Sequence, residues 1–416
     1  MLFRSKMIAL AVPGLLLGYA FDLAAEEWPQ FLGPQRNGTS TETTLIDQFP
    51  STGPKVVWRA PAGAGMSAVA VADGVAYTAW NRGDNQVLVA LDVKNGNKLW
   101  ETTIGSAYKN QMGDGPRATP IVADGFVYAY TGDGVLNAVN VKNGKAIWSV
   151  NLLGKCSVEP SDYGMSSSPL VAAGQVIVHV GGDDTAVVSV DVKSGEVLWH
   201  AGSGPAGYSS PSLSTIDGVE QVISITGTEL LGIDLKSGVK LWSYPFETDY
   251  ACNTANPVIH GNSVFISSGE NHGCVMLDVE KADTGWQVNV RWESTFTKSV
   301  MRNEWQTSIV VDGYLYGFDN VGAAGPTTHL SCIEAATGRV IWREARFGKG
   351  NLVLADGKFW ITTMDGALVL VNPDPSGFKE LSRSQFFEGT RQTLSITNGY
   401  GYIRSTSEVI CIDLKR

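Results

Sequence analysis

Leu91–Trp100, Leu-Asp-Val-Lys-Asn-Gly-Asn-Lys-Leu-Trp, decides the architecture, because the chain repeats it. An apolar run ends on Asp92, Gly96 follows four residues later, and Trp100 four after that. The pattern returns as Asn140/Gly144/Trp148, Asp191/Gly195/Trp199, Asp234/Gly238/Trp242 and Glu334/Gly338/Trp342. Asp278/Gly285/Trp292 carries insertions, Asn372/Gly377/Leu381 replaces the Trp, and Cys411–Arg416 stops short of its Gly. Each unit reads as strand, turn, strand. The Asp or Asn side chain can hold the amides of the turn, the Gly supplies positive φ, and the Trp ring can cover a neighbouring unit.

From Trp58 onward the Trp positions are spaced by 42, 48, 51, 43, 50 and 50 residues, then 39 to Leu381. Repeats of roughly 40–50 residues with several short strands mark propeller blades. A second hairpin recurs ahead of each copy, with turns at Asp73-Gly74, Asp124-Gly125, Gly174, Asp217-Gly218, Gly261-Asn262, Asp312-Gly313, Asp356-Gly357 and Asn398-Gly399. Each joins two runs of alternating apolar residues. The count predicts an all-β, eight-bladed β-propeller of four-stranded antiparallel blades. Lys55–Ala60 reads as an outer strand without upstream partners, and Thr393–Arg416 lacks an outer strand. The N-terminal strand is therefore expected to complete the last blade, removing exposed sheet edges.

Residues 1–25 read as a signal peptide. Arg4 and Lys6 precede the apolar run Met7–Leu17, and Leu23-Ala24-Ala25 offers small residues for cleavage. The run is too short for a membrane span, and no Cys follows it to carry a lipid anchor. An exported protein, periplasmic or extracellular, is expected. Residues 26–54 form a Gly/Pro-punctuated extended segment whose aromatics staple it to the propeller of residues 55–416. A net charge of −10 argues against a nucleic-acid partner. A closed ring is self-contained, so a monomer is expected. The cysteines lie at 156, 252, 274, 332 and 411, none adjacent in sequence. Cys252 and Cys274 fall within one unit and could pair; otherwise they are small buried hydrophobes.

The loops entering each innermost strand gather on one axial face. They carry Arg117, Tyr163, Tyr208, Asn253, Arg302, Asn303, Glu304, Trp305, Lys349 and Arg391. Trp305 could stack on a flat ligand, or pack as a rim residue. Arg117, Lys349 and Arg391 could meet an anion, although solvated loop charges are the simpler account. Glu159 and Asp162, with Asn253, could offer oxygen ligands to calcium, but no spacing defines a metal site. The five His are dispersed, and no nucleophile elbow or phosphate loop is present.

The unit Pro120–Tyr128, Pro-Ile-Val-Ala-Asp-Gly-Phe-Val-Tyr, leading to ends such as Leu91–Trp100, resembles the pyrroloquinoline-quinone-like repeat over residues 55–416. That family includes quinoprotein dehydrogenases and the non-catalytic lipoprotein of the outer-membrane assembly machinery. Trp28–Pro34 and Gly313–Gly317 also resemble exported bacterial propellers. In the dehydrogenases the resemblance implies pyrroloquinoline quinone between a Trp floor and a disulfide of adjacent cysteines. Calcium is held by Glu and Asn, and an Asp acts as base. The adjacent cysteines and any Cys-x-x-Cys-His haem site are missing here. The expectation is a binding or scaffolding module whose polar axial face takes a protein, peptide or carbohydrate. The alternative is a minimal quinoprotein oxidoreductase, with Trp305, Arg117, Asn253 and Arg391 around quinone and calcium.

Overall fold

The computed structural model describes residues 27–323, 325 and 327–416. The expected signal peptide lies outside the described residues. Eight four-stranded antiparallel sheets form the ring. The first blade runs Ala70–Ala72, Val75–Arg82, Asn85–Asp92 and Lys98–Ser106, from the inside out. The eighth takes Ser395–Thr397, Tyr400–Arg404 and Glu408–Asp413 from the C-terminal end and its outer strand, Lys55–Pro61, from the N-terminal side. Pairing runs from Lys55 opposite Asp413 to Pro61 opposite Glu408. The expected closure is present.

The repeat earns its residues at the boundaries between blades. A Cβ on Gly96, Gly144, Gly195, Gly238 or Gly338 would fall 2.6–2.9 Å from the ring or Cβ of Trp58, Trp100, Trp148, Trp199 or Trp292, respectively. Each Trp thus sits on the turn glycine of the next blade. Four of these Trp residues also donate Nε1–H to a carbonyl of that blade: Trp58 to Val93, Trp100 to Val141, Trp148 to Val192 and Trp292 to Ala335. The turn acid works as its position suggests, with Asp234 Oδ1 accepting from the Lys236 and Ser237 amides at 3.2 and 2.8 Å. The drifted copies follow the same logic. In the fifth blade the hairpin Gly273–Ala282/Gly285–Thr295 is lengthened, so Gly285 meets nothing. Trp242 then turns to its own blade and donates to Gln221 at 2.7 Å. At the seventh boundary Leu381 packs on the core where a Trp would stand.

Gly238→Ala is expected to lose about 1–3 kcal/mol, from left-handed strain at φ 73° plus the Trp199 contact. Gly218→Ala, at φ 75° with nothing near its Cβ, isolates the strain alone. Urea midpoints of the two variants separate the terms; equal losses would show that the Trp contact contributes nothing.

Around the axis, the segments entering the first five inner strands each tie to the next blade. The Ala68 amide donates to Thr119 Oγ1, Thr119 to Ser168 Oγ, Ser168 to Ser210 Oγ, Ser210 to Asn256 Oδ1 and Asn256 to Thr307 Oγ1, all at 2.9–3.1 Å. These side-chain oxygens serve as a circumferential belt that satisfies backbone donors at the crowded centre.

Residues 27–54 cross the opposite end of the ring. Trp28 exchanges both backbone hydrogen bonds with Val71 at 3.1 and 2.7 Å. Pro29 accepts from Val122, Gly38 from Leu354, and the Glu42 carboxylate from the amides of Asn398 and Gly399. These partners belong to the turns and ends of inner strands, so the segment stoppers the axial channel. Trp28 and Leu45 are buried within it.

One buried titratable group makes the core acid-sensitive. His179, fully buried, bonds the Ser224 hydroxyl through Nε2, while its carbonyl accepts from Tyr130 at 3.1 Å. Burial pushes its pKa down to about 3. The folded state keeps the ring neutral, whereas the unfolded chain binds a proton below about 6.5. Stability therefore falls as pH drops from 6.5 towards 3, with a loss of about 2 kcal/mol by pH 5 from this group alone. Denaturant unfolding of wild type and His179→Gln at pH 7 and pH 5 checks this: the wild type should lose that increment and the variant should not.

Candidate functional site

At the open end of the axis lies a funnel of about 580 Å³. Its lining comes from loops entering the blades, from loops between second and third strands, and from the stopper beneath. Phe31, in the N-terminal segment, closes its floor. Tyr163 and Tyr208 face each other at 5.5 Å between ring centroids, and Tyr250 stands exposed beside them.

Trp305, Arg117 and Arg391 all line this funnel. Lys349 Nζ lies 4.7 Å and the Arg391 guanidinium 5.3 Å from the Trp305 ring centroid, so two cations occupy its π-surface. Lys349 also pairs with Glu304 at 2.7 Å. Burial raises the Glu304 pKa against the pull of that ammonium. The loop carrying Glu304 and Trp305 is held by Arg302, which sequence placed on the face itself. Its guanidinium is buried, and Nε and Nη2 grip Asp319 at 2.6 and 2.9 Å. Asn303 is likewise internal, donating to the Phe318 carbonyl.

Asn253 lies beneath the face rather than on it. It is fully buried, donates to the carbonyls of Thr226 and Phe246 at 2.7 and 3.0 Å, and accepts from Thr248. Glu159 and Asp162 line a separate recess of about 330 Å³ beside the funnel. The three oxygen donors considered for calcium therefore do not converge. Among the described residues no group of three or more His, Cys, Asp or Glu could hold a metal ion. The pairing considered for Cys252 and Cys274 is not formed, and all five cysteines are free. Cys252 lines the funnel, whereas Cys274 is buried in its strand, 3.9 Å from Ser299 Oγ.

Sequence reasoning missed Phe31, Met66, Met112 and Met364 on the funnel wall, and Arg36, which donates to the carbonyl of the lining residue Ser168. Met112 lay within a loop already assigned to this face, so its loop position was the available signal. Phe31 and Arg36 carried none, because only the path of the stopper brings them to the axis.

Pyrroloquinoline quinone does not fit these residues. The Trp305 ring that would floor it is already covered by Lys349 and Arg391, Glu304 is engaged by Lys349, and the calcium donors are dispersed.

Fold and site define an eight-bladed propeller stoppered at one axial end and open as a funnel at the other. The chain belongs to the PQQ_2 family, described as outer membrane protein assembly factor BamB, which matches residues 44–161 and 160–344. It is 22% identical to the outer membrane protein assembly factor BamB of Yersinia pestis over 307 residues, 73% of this chain and 74% of that one. Among solved structures it is similar to a europium-containing methanol dehydrogenase, at TM-score 0.67 and 12% identity, covering 92% of this chain and 90% of that one. It is also similar to BamB from Moraxella catarrhalis, at TM-score 0.58 and 16% identity, covering 86% and 98%. Likeness at these identities shows the propeller fold and carries no activity with it.

Proposed function

We propose that the protein is an exported, non-catalytic propeller that binds or scaffolds a partner through its open axial funnel. The observation that carries this reading is the funnel itself. It is closed below by Phe31 and walled by aromatic, methionine and cationic side chains, and its volume suits a ligand or an inserted segment. The assembly-factor relatives, which span about three quarters of the chain, support a binding role. Among the described residues no helix is long and apolar enough to cross a membrane. The expected leader supports export. A protein, peptide or carbohydrate partner suits this wall, and Trp305, Arg117 and Arg391 are the residues proposed to meet it.

The test screens the mature chain against peptide and glycan arrays, with Trp305→Ala alongside. Trp305 contacts two wall cations, so its removal should lower a genuine funnel signal by about tenfold or more. Thermal unfolding with pyrroloquinoline quinone and calcium supplies the opposing arm. A bound ligand at 100 times its Kd adds about 2.7 kcal/mol, a readable rise in midpoint. No rise is expected. A rise that Trp305→Ala removes would replace the binding-module reading with a quinoprotein.

A further inference from the structure

The funnel wall is chemically divided. Met66 and Met112 come from loops entering the first and second blades, and Met364 from a loop of the seventh, so all three share one arc of the ring above Phe31. Tyr163 and Tyr208 stand on the opposing arc. Methionines are soft and adaptable, and they suit a variable apolar side chain better than the hydroxyl-rich surface of a sugar.

Two guanidinium groups converge at the edge of the methionine arc. Arg391 Nη1 donates to the Met112 carbonyl at 3.0 Å, and Arg117 Nη2 to the next carbonyl, Gly113, at 2.7 Å. Arg117 also donates to the carbonyls of Gly115 and Tyr163. Neither arginine forms a contact ion pair among the described residues, although Asp114 acts on Arg117 and Glu304 on Arg391 through space; the Asp114 carboxylate accepts from the Asn110 amide. Behind the wall, Arg36 is buried, donates to Gln30 and to the carbonyls of Ser168 and Pro169, and leaves Nε without a partner among the described residues. Ser168 itself lines the funnel. By contrast, Glu304 already engages Lys349.

Glu270 and Glu304 line the same funnel, so its charge is mixed, but the two guanidinium groups spend their hydrogen bonds on carbonyls, and charge-assisted bonds to a carboxylate are stronger than those. The wall residues Thr254, Thr393 and Trp305 also hold Oγ1, Oγ1 and Nε1 buried and without partners among the described residues. Such groups suit the amides of a short extended backbone. The volume has room for a few residues and none for a folded domain.

We propose that the funnel receives a peptide C-terminus, its carboxylate between Arg117 and Arg391 and its last apolar side chain against Met66, Met112 and Met364. This deepens the binding role given above and rests on it.

The probe is a pool of N-acetylated tripeptides with free C-terminal carboxylates, equilibrium-dialysed against the full chain and read by mass spectrometry. The same pool as C-terminal amides runs in parallel. Members ending in an apolar residue should be retained at least tenfold better as acids than as amides, and less so as salt rises. Arg391→Gln should lower retention about tenfold or more, Arg391→Lys should recover part of it, and Lys155→Gln, away from the funnel, should leave it unchanged. An unchanged thermal midpoint establishes that each variant is folded. Equal retention of acids and amides, still lost in Trp305→Ala, would overturn the carboxylate proposal and leave the funnel as a binding face. Retention indifferent to both Arg391→Gln and Trp305→Ala would overturn both. Failure of both pools to be retained would overturn the peptide proposal.

Discussion

Removing residues 27–61 is expected to abolish cooperative folding of the ring. The segment supplies the outer strand of the eighth blade, and its loss leaves Glu408–Asp413 as an unpaired edge beside the first blade. It also withdraws Trp28, Leu45 and Trp58 from the apolar cluster that spans the seventh, eighth and first blades. Truncating a buried Trp typically removes about 3–5 kcal/mol, and whole domains are stable by only about 5–15 kcal/mol. Two such side chains, a buried Leu and a strand exceed that reserve. The exposed strand edge should then drive association. Light scattering with near-ultraviolet circular dichroism checks this. The truncated chain should be polydisperse without a sharp melting transition, and residues 27–61 supplied as a separate peptide should restore part of both. A monomeric truncated chain with a wild-type melt would show that the ring closes without its N-terminal strand.

Asp319→Ala should be the most damaging single substitution near the funnel. Asp319 is fully buried and accepts from Arg302 at 2.6 and 2.9 Å, with Arg343 at 3.1 Å. Removing the carboxylate strands the Arg302 guanidinium in the interior. Breaking a buried pair in this way loses about 3–5 kcal/mol, an unfolding midpoint lower by roughly 5 °C for a chain of this size. Arg302 anchors the loop carrying Glu304 and Trp305, so funnel binding should weaken even below the new midpoint. The double variant Arg302→Met/Asp319→Leu tests the cause, since it removes both charges and keeps the volume. Most of the stability should return. A double variant as unstable as Asp319→Ala would place the loss in packing rather than in the stranded charge.

These two sites also mark where sequence reasoning succeeds and fails. The outer strand at Lys55 was legible because Trp58 ends it like every other unit, and a strand ending that way needs a sheet. Arg302 was misplaced because loop position says which face a residue is near, not whether its side chain turns outward. Asn253 failed for the same reason. Its amide was claimed by the Thr226 and Phe246 carbonyls, partners unrelated by any local spacing.

The sequence alone determined the blade count, the strand order within each blade and the closure. All three follow from local periodicity and from a turn glycine and Trp that recur at fixed spacing. Tertiary structure alone decided the site. The funnel floor depends on Phe31 threading the axis, and the cation pair on Arg117 and Arg391 meeting at carbonyls 112 and 113 from positions far apart in the chain. The physical reason is that a repeat encodes contacts between neighbouring blades, one boundary at a time. A site on the axis is made by non-repeating loop residues from every blade at once, and no local pattern constrains how they meet.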